Sequence, residues 1–130
     1  MANAVKVALI GAGRSGTPLL KQLMKYKFIK IVGVADRKEK AAGIKMAAKK
    51  KIFTTTDAME LMKKSRTMDI LIDVTGDMNL KKKIKDYLLK SKNTRTIIMH
   101  DLIARLFISM SAKKTVLVPS FHPRDVGVGK

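Results

Sequence analysis

The chain has no cysteine, so it can form neither disulfides nor thiolate metal sites, and it carries no cysteine signal of its redox compartment. Its two histidines, His100 and His122, are too few to hold a metal through imidazole. Aromatic residues make up 5% of the sequence, which leaves little material for platforms that stack single-stranded bases. Long apolar runs are missing as well. The nearest, Thr96 to Met110, is broken by His100, Asp101 and Arg105 and is not expected to cross a membrane. No basic-then-apolar leader precedes the first expected strand, so a cytoplasmic setting is the expectation. Acidic residues are scarce, at 10 against 28 Lys and Arg, giving a net charge of +18.

Most of that charge is lysine, clustered at Lys49-Lys50-Lys51, Lys63-Lys64 and Lys81-Lys82-Lys83 with Lys85. Such clusters attract nucleic acid or an acidic partner, or simply form a solvated surface. No helix-turn-helix or zinc-finger pattern accompanies them, so specific nucleic-acid binding is not expected.

With 130 residues and 46% hydrophobic residues, the chain suits one domain with a real core. Its organising stretch is Val5 to Gly16, VKVALIGAGRSG. The apolar run to Ile10 reads as a strand buried on both faces. Gly11, Gly13 and Gly16 follow in the G-x-G-x-x-G spacing. Gly11 serves a tight turn, Gly13 a close approach of pyrophosphate, and Gly16 the packing of helix on strand. Helix-start N–H groups, with the Ser15 hydroxyl beside them, would hold the phosphate charge. The next helix carries Leu19, Leu20, Leu23 and Met24 on one face, with Pro18 tolerated in its first turn. A second strand, Ile29 to Ala35, ends in Asp36. That is 20 positions after Gly16, where a carboxylate can accept both hydroxyls of an adenosine ribose. The plainer alternative is a ligand-free βαβ turn.

Beyond Asp36, strands are expected at Ile52-Phe53, Asp69 to Val74, Thr96 to Met99 and Thr115 to Val118. Helices are expected from Ala41 to Lys50, after Asp57 with Glu60 as a capping box, from Leu80 to Leu88 with its lysines outside, and from Asp101 to Met110. This alternation implies an α/β fold, a doubly wound parallel sheet of about six strands in the order 3-2-1-4-5-6. Residues 1–118 form the dinucleotide-binding domain and residues 119–130 an irregular tail. The ligand crevice lies at the carboxyl ends of strands 1 and 4, which gathers the glycine turn, Asp36, Thr75-Gly76 and His100.

GAGRSG, then VGVAD, then IFTTTDAMELMKK followed by DILIDVTGD, resembles the nucleotide-binding half of homoserine dehydrogenase and the glucose–fructose oxidoreductase family, over about residues 4–100. This implies a Rossmann domain. A closer resemblance is to Rossmann domains attached to bacterial PAS or histidine-kinase sensors, whose fifth strand ends in a His followed by an A-R-L-F-like helix, here His100 to Phe107. Those dehydrogenases carry a second α+β domain that binds substrate and supplies a catalytic Lys or His. The 20 residues after Met110 are too few to form one.

The cofactor expectation is NAD or NADH. Asp36 repels a 2′-phosphate, while Arg37 and Arg14 keep NADP open as an alternative. Thr75 and Gly76 would border the ribose and nicotinamide, or serve as a plain turn. His100 is the one residue of catalytic type in the expected cleft, although a structural or gating role is favoured. Asp101 would cap the last helix or orient His100. His122, between Phe121 and Pro123, shows no partner. Two functions are therefore carried forward. One is a stand-alone dinucleotide-binding module that senses, regulates or serves as a cofactor-binding subunit. The other is an oxidoreductase completed by a dimer mate or separate subunit. The apolar residues Leu102, Ile103, Leu106, Phe107 and Met110 predict a homodimer once one side of their helix packs on the sheet.

Overall fold

The computed structural model describes residues 3–14 and 16–120. Ser15, His122 and the part of the expected tail from residue 121 onward lie outside the described residues. The chain runs β1 (Val5–Ile10), α1 (Gly16–Leu23), β2 (Ile29–Ala35), α2 (Ala42–Lys49), β3 (Thr54–Thr55), α3 (Ala58–Met62), β4 (Ile70–Asp73), α4 (Met78–Lys90), β5 (Ile97–Met99) and α5 (Asp101–Ser111). The five strands make one sheet ordered β3-β2-β1-β4-β5, and every pairing is parallel.

β1 lies in the middle because its residues are apolar on both sides. Val7 and Leu9 join Leu19, Leu20 and Leu23 of α1 and Ile44 and Ala47 of α2 in one core layer. Ala8 and Ile10 point the other way and meet Leu61 and Met62 of α3 and Ile84 and Leu88 of α4. Burying each large aliphatic side chain contributes about 1.5–3 kcal/mol, so β1 is held from both faces. Beside it β2 carries one extra residue, since Val7 faces Ile31 while Ala8 faces Gly33.

Several expectations are corrected. The third strand is Thr54–Thr55 rather than Ile52-Phe53. No sixth strand forms at 115–118; instead Val118 N–H donates to Ser109 Oγ at 2.9 Å and Arg105 Nη1 donates to Val118 O at 3.4 Å, which ties the segment to α5. Asp57 caps α3 through Met59 N–H at 2.9 Å, but Glu60 pairs with Lys63 at 3.0 Å instead of closing the box.

Two helix faces also differ from the pattern. On α4, Lys81 is buried with Ile84 and Leu88, although its lysines were expected outside; it falls three positions before Ile84 and so shares that face. α5 turns small and polar residues inward, with Asp101, Ala104 and Ser109 buried and Ile108 packed against the core. Its apolar residues Leu102, Ile103, Leu106, Phe107 and Met110 are exposed. The small inward residues let α5 lie close to α1, and the polar ones bind the 118–120 segment.

Candidate functional site

The glycine turn is held by bonds from four directions. Gly11 has a φ of +100°, in the left-handed region, and its N–H donates to Ala35 O at 2.8 Å. Ala12 N–H donates to Asp36 Oδ2 at 2.7 Å. Ala12 O accepts from Gly43 N–H at 2.9 Å and from Thr17 Oγ1 at 2.7 Å. α1 begins so close to this turn that a Cβ on Gly16 would stand 1.6 Å from Gly11 O, so only glycine fits there. Gly13 is the opposite case. Nothing lies within 4 Å of the place its Cβ would occupy, and its backbone is open to the cleft.

That cleft has a volume of about 510 Å³, within the usual range for small-molecule sites. It lies over the carboxyl ends of β1, β2 and β4. Gly11, Gly13, Arg14, Gly16, Asp36, Arg37 and Thr75 all line it, so seven of the sequence-derived candidates converge on one wall. Gly76 and His100 do not line it. Thr56, Asp57, Met59, Asp77, Asn79 and Lys83 do and were not recognised as site residues. Part of their signal was present: Thr56, Asp57 and Asp77 lie in the loops after β3 and β4, where a parallel sheet gathers its ligand contacts, while Met59, Asn79 and Lys83 reach the cleft from within α3 and α4.

The acids of the cleft are already engaged. Asp36 Oδ1 accepts from Lys38 N–H at 2.8 Å while Oδ2 holds Ala12. Asp77 caps α4 through Leu80 N–H at 3.1 Å, and Asp57 caps α3. Each carboxylate oxygen of Asp36 still has a lone pair for a further donor. The cations of the same wall are Arg14, Arg37 and Lys83. Thr75 faces the cleft with its hydroxyl committed, since Oγ1 donates to Asp73 Oδ1 at 2.7 Å and accepts from Asp77 N–H at 3.1 Å.

Behind this wall lies a set of buried charges. Asp73 is fully buried, and its Oδ2 has no hydrogen-bond partner among the described residues. Lys81 is 2% exposed; burial lowers its pKa from the ordinary 10.5, and the nearby Asp73 and Asp101 charges oppose the shift. His100 stands at the N-cap of α5 without a side-chain cap bond. Both of its ring nitrogens are buried with no partner among the described residues. Burial holds its pKa below 6.5, the Lys81 charge pushes the same way, and Asp73 opposes them. The imidazole is therefore neutral near pH 7.

Asp101 neither caps α5 nor orients His100. It is the first residue of the helix, 2.9 Å from Arg105 Nε, and accepts from Ser120 Oγ at 2.7 Å. The Arg105 Nε–H is not directed at that oxygen, so the pair is a charge contact rather than an aligned hydrogen bond. Among the described residues no group of His, Cys, Asp and Glu is arranged to hold a metal ion, and no helix is long and apolar enough to cross a membrane.

No protein-family model and no curated protein matches the chain. Solved structures do. The chain is similar to GenD2 from gentamicin A biosynthesis, in complex with NAD, with TM-score 0.57 and 16% identity over 85% of this chain and 32% of that one. A putative NADPH-dependent oxidoreductase from Desulfitobacterium hafniense gives TM-score 0.57 and 18% identity, again over 85% and 32%. Homoserine dehydrogenase from S. aureus gives TM-score 0.54 and 19% identity over 85% and 30%. The chain thus spans about a third of the length of these structures. At these identities the likeness is one of fold: a Rossmann-type α/β domain, as the resemblance to the homoserine dehydrogenase nucleotide-binding half implies.

Proposed function

We propose that the chain is a dinucleotide-binding module for NAD(H), with residues 1–118 as the binding unit, acting as a sensing, regulatory or cofactor-holding component in the cytoplasm. The observation that carries this reading is Gly13: an open backbone with no neighbour at its Cβ position, in a turn fixed on both sides. A pyrophosphate needs such an approach. The residues present fit the cofactor. Gly13 and the start of α1 would take the pyrophosphate, joined by the Ser15 hydroxyl that the sequence sets beside them. Asp36 would accept the adenosine ribose hydroxyls with its remaining lone pairs, which favours NAD over NADP, and Arg37 would lie against the adenine end. A bound nicotinamide would supply hydride chemistry. Thr75 would border its ribose. The structural neighbours bear on the same point, since one is in complex with NAD and another is described as NADPH-dependent.

Binding without turnover is favoured by the state of the polar groups. The cleft acids are held by backbone N–H groups, and His100 is shut away from the cleft with both nitrogens buried. The oxidoreductase alternative would need acid–base groups from a partner. We further propose that the partner is a second copy, meeting the first through the exposed apolar face of α5.

The test is isothermal titration of NAD⁺, NADH, NADP⁺ and NADPH into the chain and into Gly13→Val. The parent is expected to bind, NAD(H) more tightly than NADP(H). The folded variant is expected to lose binding, because the added side chain fills the approach. Equal NAD(H) affinity in a folded Gly13→Val protein would remove the glycine turn from the site.

A further inference from the structure

A second cavity of about 190 Å³ opens between α1 and α5, walled by Pro18, Ala104, Ile108 and Val118. It shares Arg14 and Val74 with the large cleft. We propose that it binds a small, uncharged, mainly apolar molecule beside the dinucleotide, and that the two ligands tighten one another. The inference rests on the dinucleotide reading for the coupling, but not for the cavity.

Size and chemistry set the ligand class. A dry apolar cavity of ~150 Å³ takes a benzene-sized guest, so this one suits a ring or branched chain of about six to eight heavy atoms. Its charged members Asp101 and Arg105 face each other as an ion pair, with the Arg105 Nε–H still without an aligned hydrogen bond among the described residues. Asp101 is met by Arg105 and by Ser120 Oγ, and Arg105 also reaches Val118 O. Arg14, at the shared rim, is itself engaged. A carboxylate entering this wall would be desolvated and would have to compete with Asp101 for Arg105, and an ammonium with Arg105 for Asp101, whereas an alcohol or hydrocarbon would leave that pair in place.

Position sets the coupling. Asp36 follows β2 and Val74 follows β4, on opposite sides of the central β1. Arg14, in the glycine turn between them, and Val74 line both spaces. A dinucleotide laid across the turn from Asp36 towards Val74 would reach the residues that the two spaces share, so each ligand would form part of the other's wall.

The probe is cyclohexanol, followed by methyl NMR of Ala104, Ile108 and Val118, with cyclohexanecarboxylate and cyclohexylammonium as charged counterparts. Cyclohexanol is expected to shift these three methyl groups with or without NADH. Saturating NADH should tighten its binding by about fivefold, an ordinary coupling strength. The charged counterparts should bind at least about tenfold more weakly. Ala104→Leu, which fills the cavity, should abolish the shifts while NADH affinity stays within about twofold; Ile108→Phe serves the same purpose if the first variant does not fold. Absent shifts, shifts elsewhere only, equal binding of the carboxylate, or unchanged binding in both filled variants would overturn the site. Cyclohexanol affinity that ignores bound NADH would overturn the coupling. Should NADH itself fail to bind, the dinucleotide reading and the coupling fail with it, while the methyl shifts without NADH still decide the cavity.

Discussion

The Asp36 carboxylate is bonded to Ala12 N–H and Lys38 N–H before any ligand arrives. One residue thus fastens the glycine turn to the end of β2 and, in the proposed site, offers its spare lone pairs to a ribose. The two roles separate by substitution. Asp36→Ala should weaken NAD binding about tenfold to a hundredfold, as expected for losing charge-assisted hydrogen bonds of about 1.5–3 kcal/mol. Asp36→Asn keeps one acceptor oxygen, for Ala12 N–H, while it removes the charge and the acceptor for Lys38 N–H, so it should narrow the NAD/NADP ratio while costing less affinity than Asp36→Ala. Titration of both variants with both cofactors checks this; an unchanged ratio in Asp36→Asn would remove the charge from cofactor choice. His100 makes a second residue-scale case. Its folded pKa lies below its unfolded one, so the unfolded chain takes up the proton first as pH falls. The stability it contributes is complete above about 6.5 and declines below that until the folded pKa is passed. Urea midpoints measured from pH 8 to pH 5 should fall more steeply for the parent than for His100→Leu, and equal slopes would contradict it.

Three helices end in the same unusual way. At α2, Lys51 N–H bonds Ala48 O and Ile52 N–H bonds Ala47 O; at α4, Lys92 to Leu89 and Asn93 to Leu88; at α5, Lys113 to Met110 and Lys114 to Ser109. Each is a Schellman ending, and each puts lysine at a left-handed φ of 56–58° where glycine is usual. The positive charge suits a helix C-terminus, but the Cβ is strained there. Lys51→Gly, Lys92→Gly and Lys113→Gly should each stabilise by about 0.5–1 kcal/mol. The triple variant should raise the melting temperature by several degrees; a lower value would mean that the lysine charges matter more than the strain. These endings were not legible in the sequence, because no glycine marks them. β1, α1 and β2 were legible almost to the residue, because continuous apolar runs and a 3.6-residue stripe carry them. The glycine turn was legible for the same local reason. The orientation of α5 was not: its periodicity shows an apolar face, but which way that face turns is decided by Val118 and Ser120 binding Ser109 and Asp101 from outside the helix. Lys81 likewise read as one more surface lysine, since its burial depends on Asp73 and Asp101 arriving from other elements.

At the scale of the whole molecule, a net charge of +18 should keep copies apart except where lysine is missing. The outward face of α5 is such a place. Leu102, Ile103, Leu106, Phe107, Met110, Val116 and Leu117 are all at least 40% exposed. At about 200 Å² for a fully exposed large apolar side chain, they offer on the order of 700 Å². That approaches the ~800 Å² each partner contributes to a standard interface, and a two-fold pairing covers the same patch on both copies. Light scattering over a concentration series in high salt should show a dimer, and Phe107→Asp should return it to a single chain; one chain's mass throughout would exclude the pairing.

The central place of β1 also sets an order in time. Its bonds to β2 join positions 24 residues apart, as Ala12 and Asp36 are, whereas those beside β4 span 63, as Lys6 and Asp69 do. At the ~5–20 residues per second of synthesis, several seconds separate the two halves of the sheet as the chain emerges. The Gly11–Ala35 and Ala12–Asp36 bonds belong wholly to the early half. The turn proposed to hold phosphate and ribose can therefore take shape while β1 still waits, one edge open, for the strand that brings Val74 and Thr75.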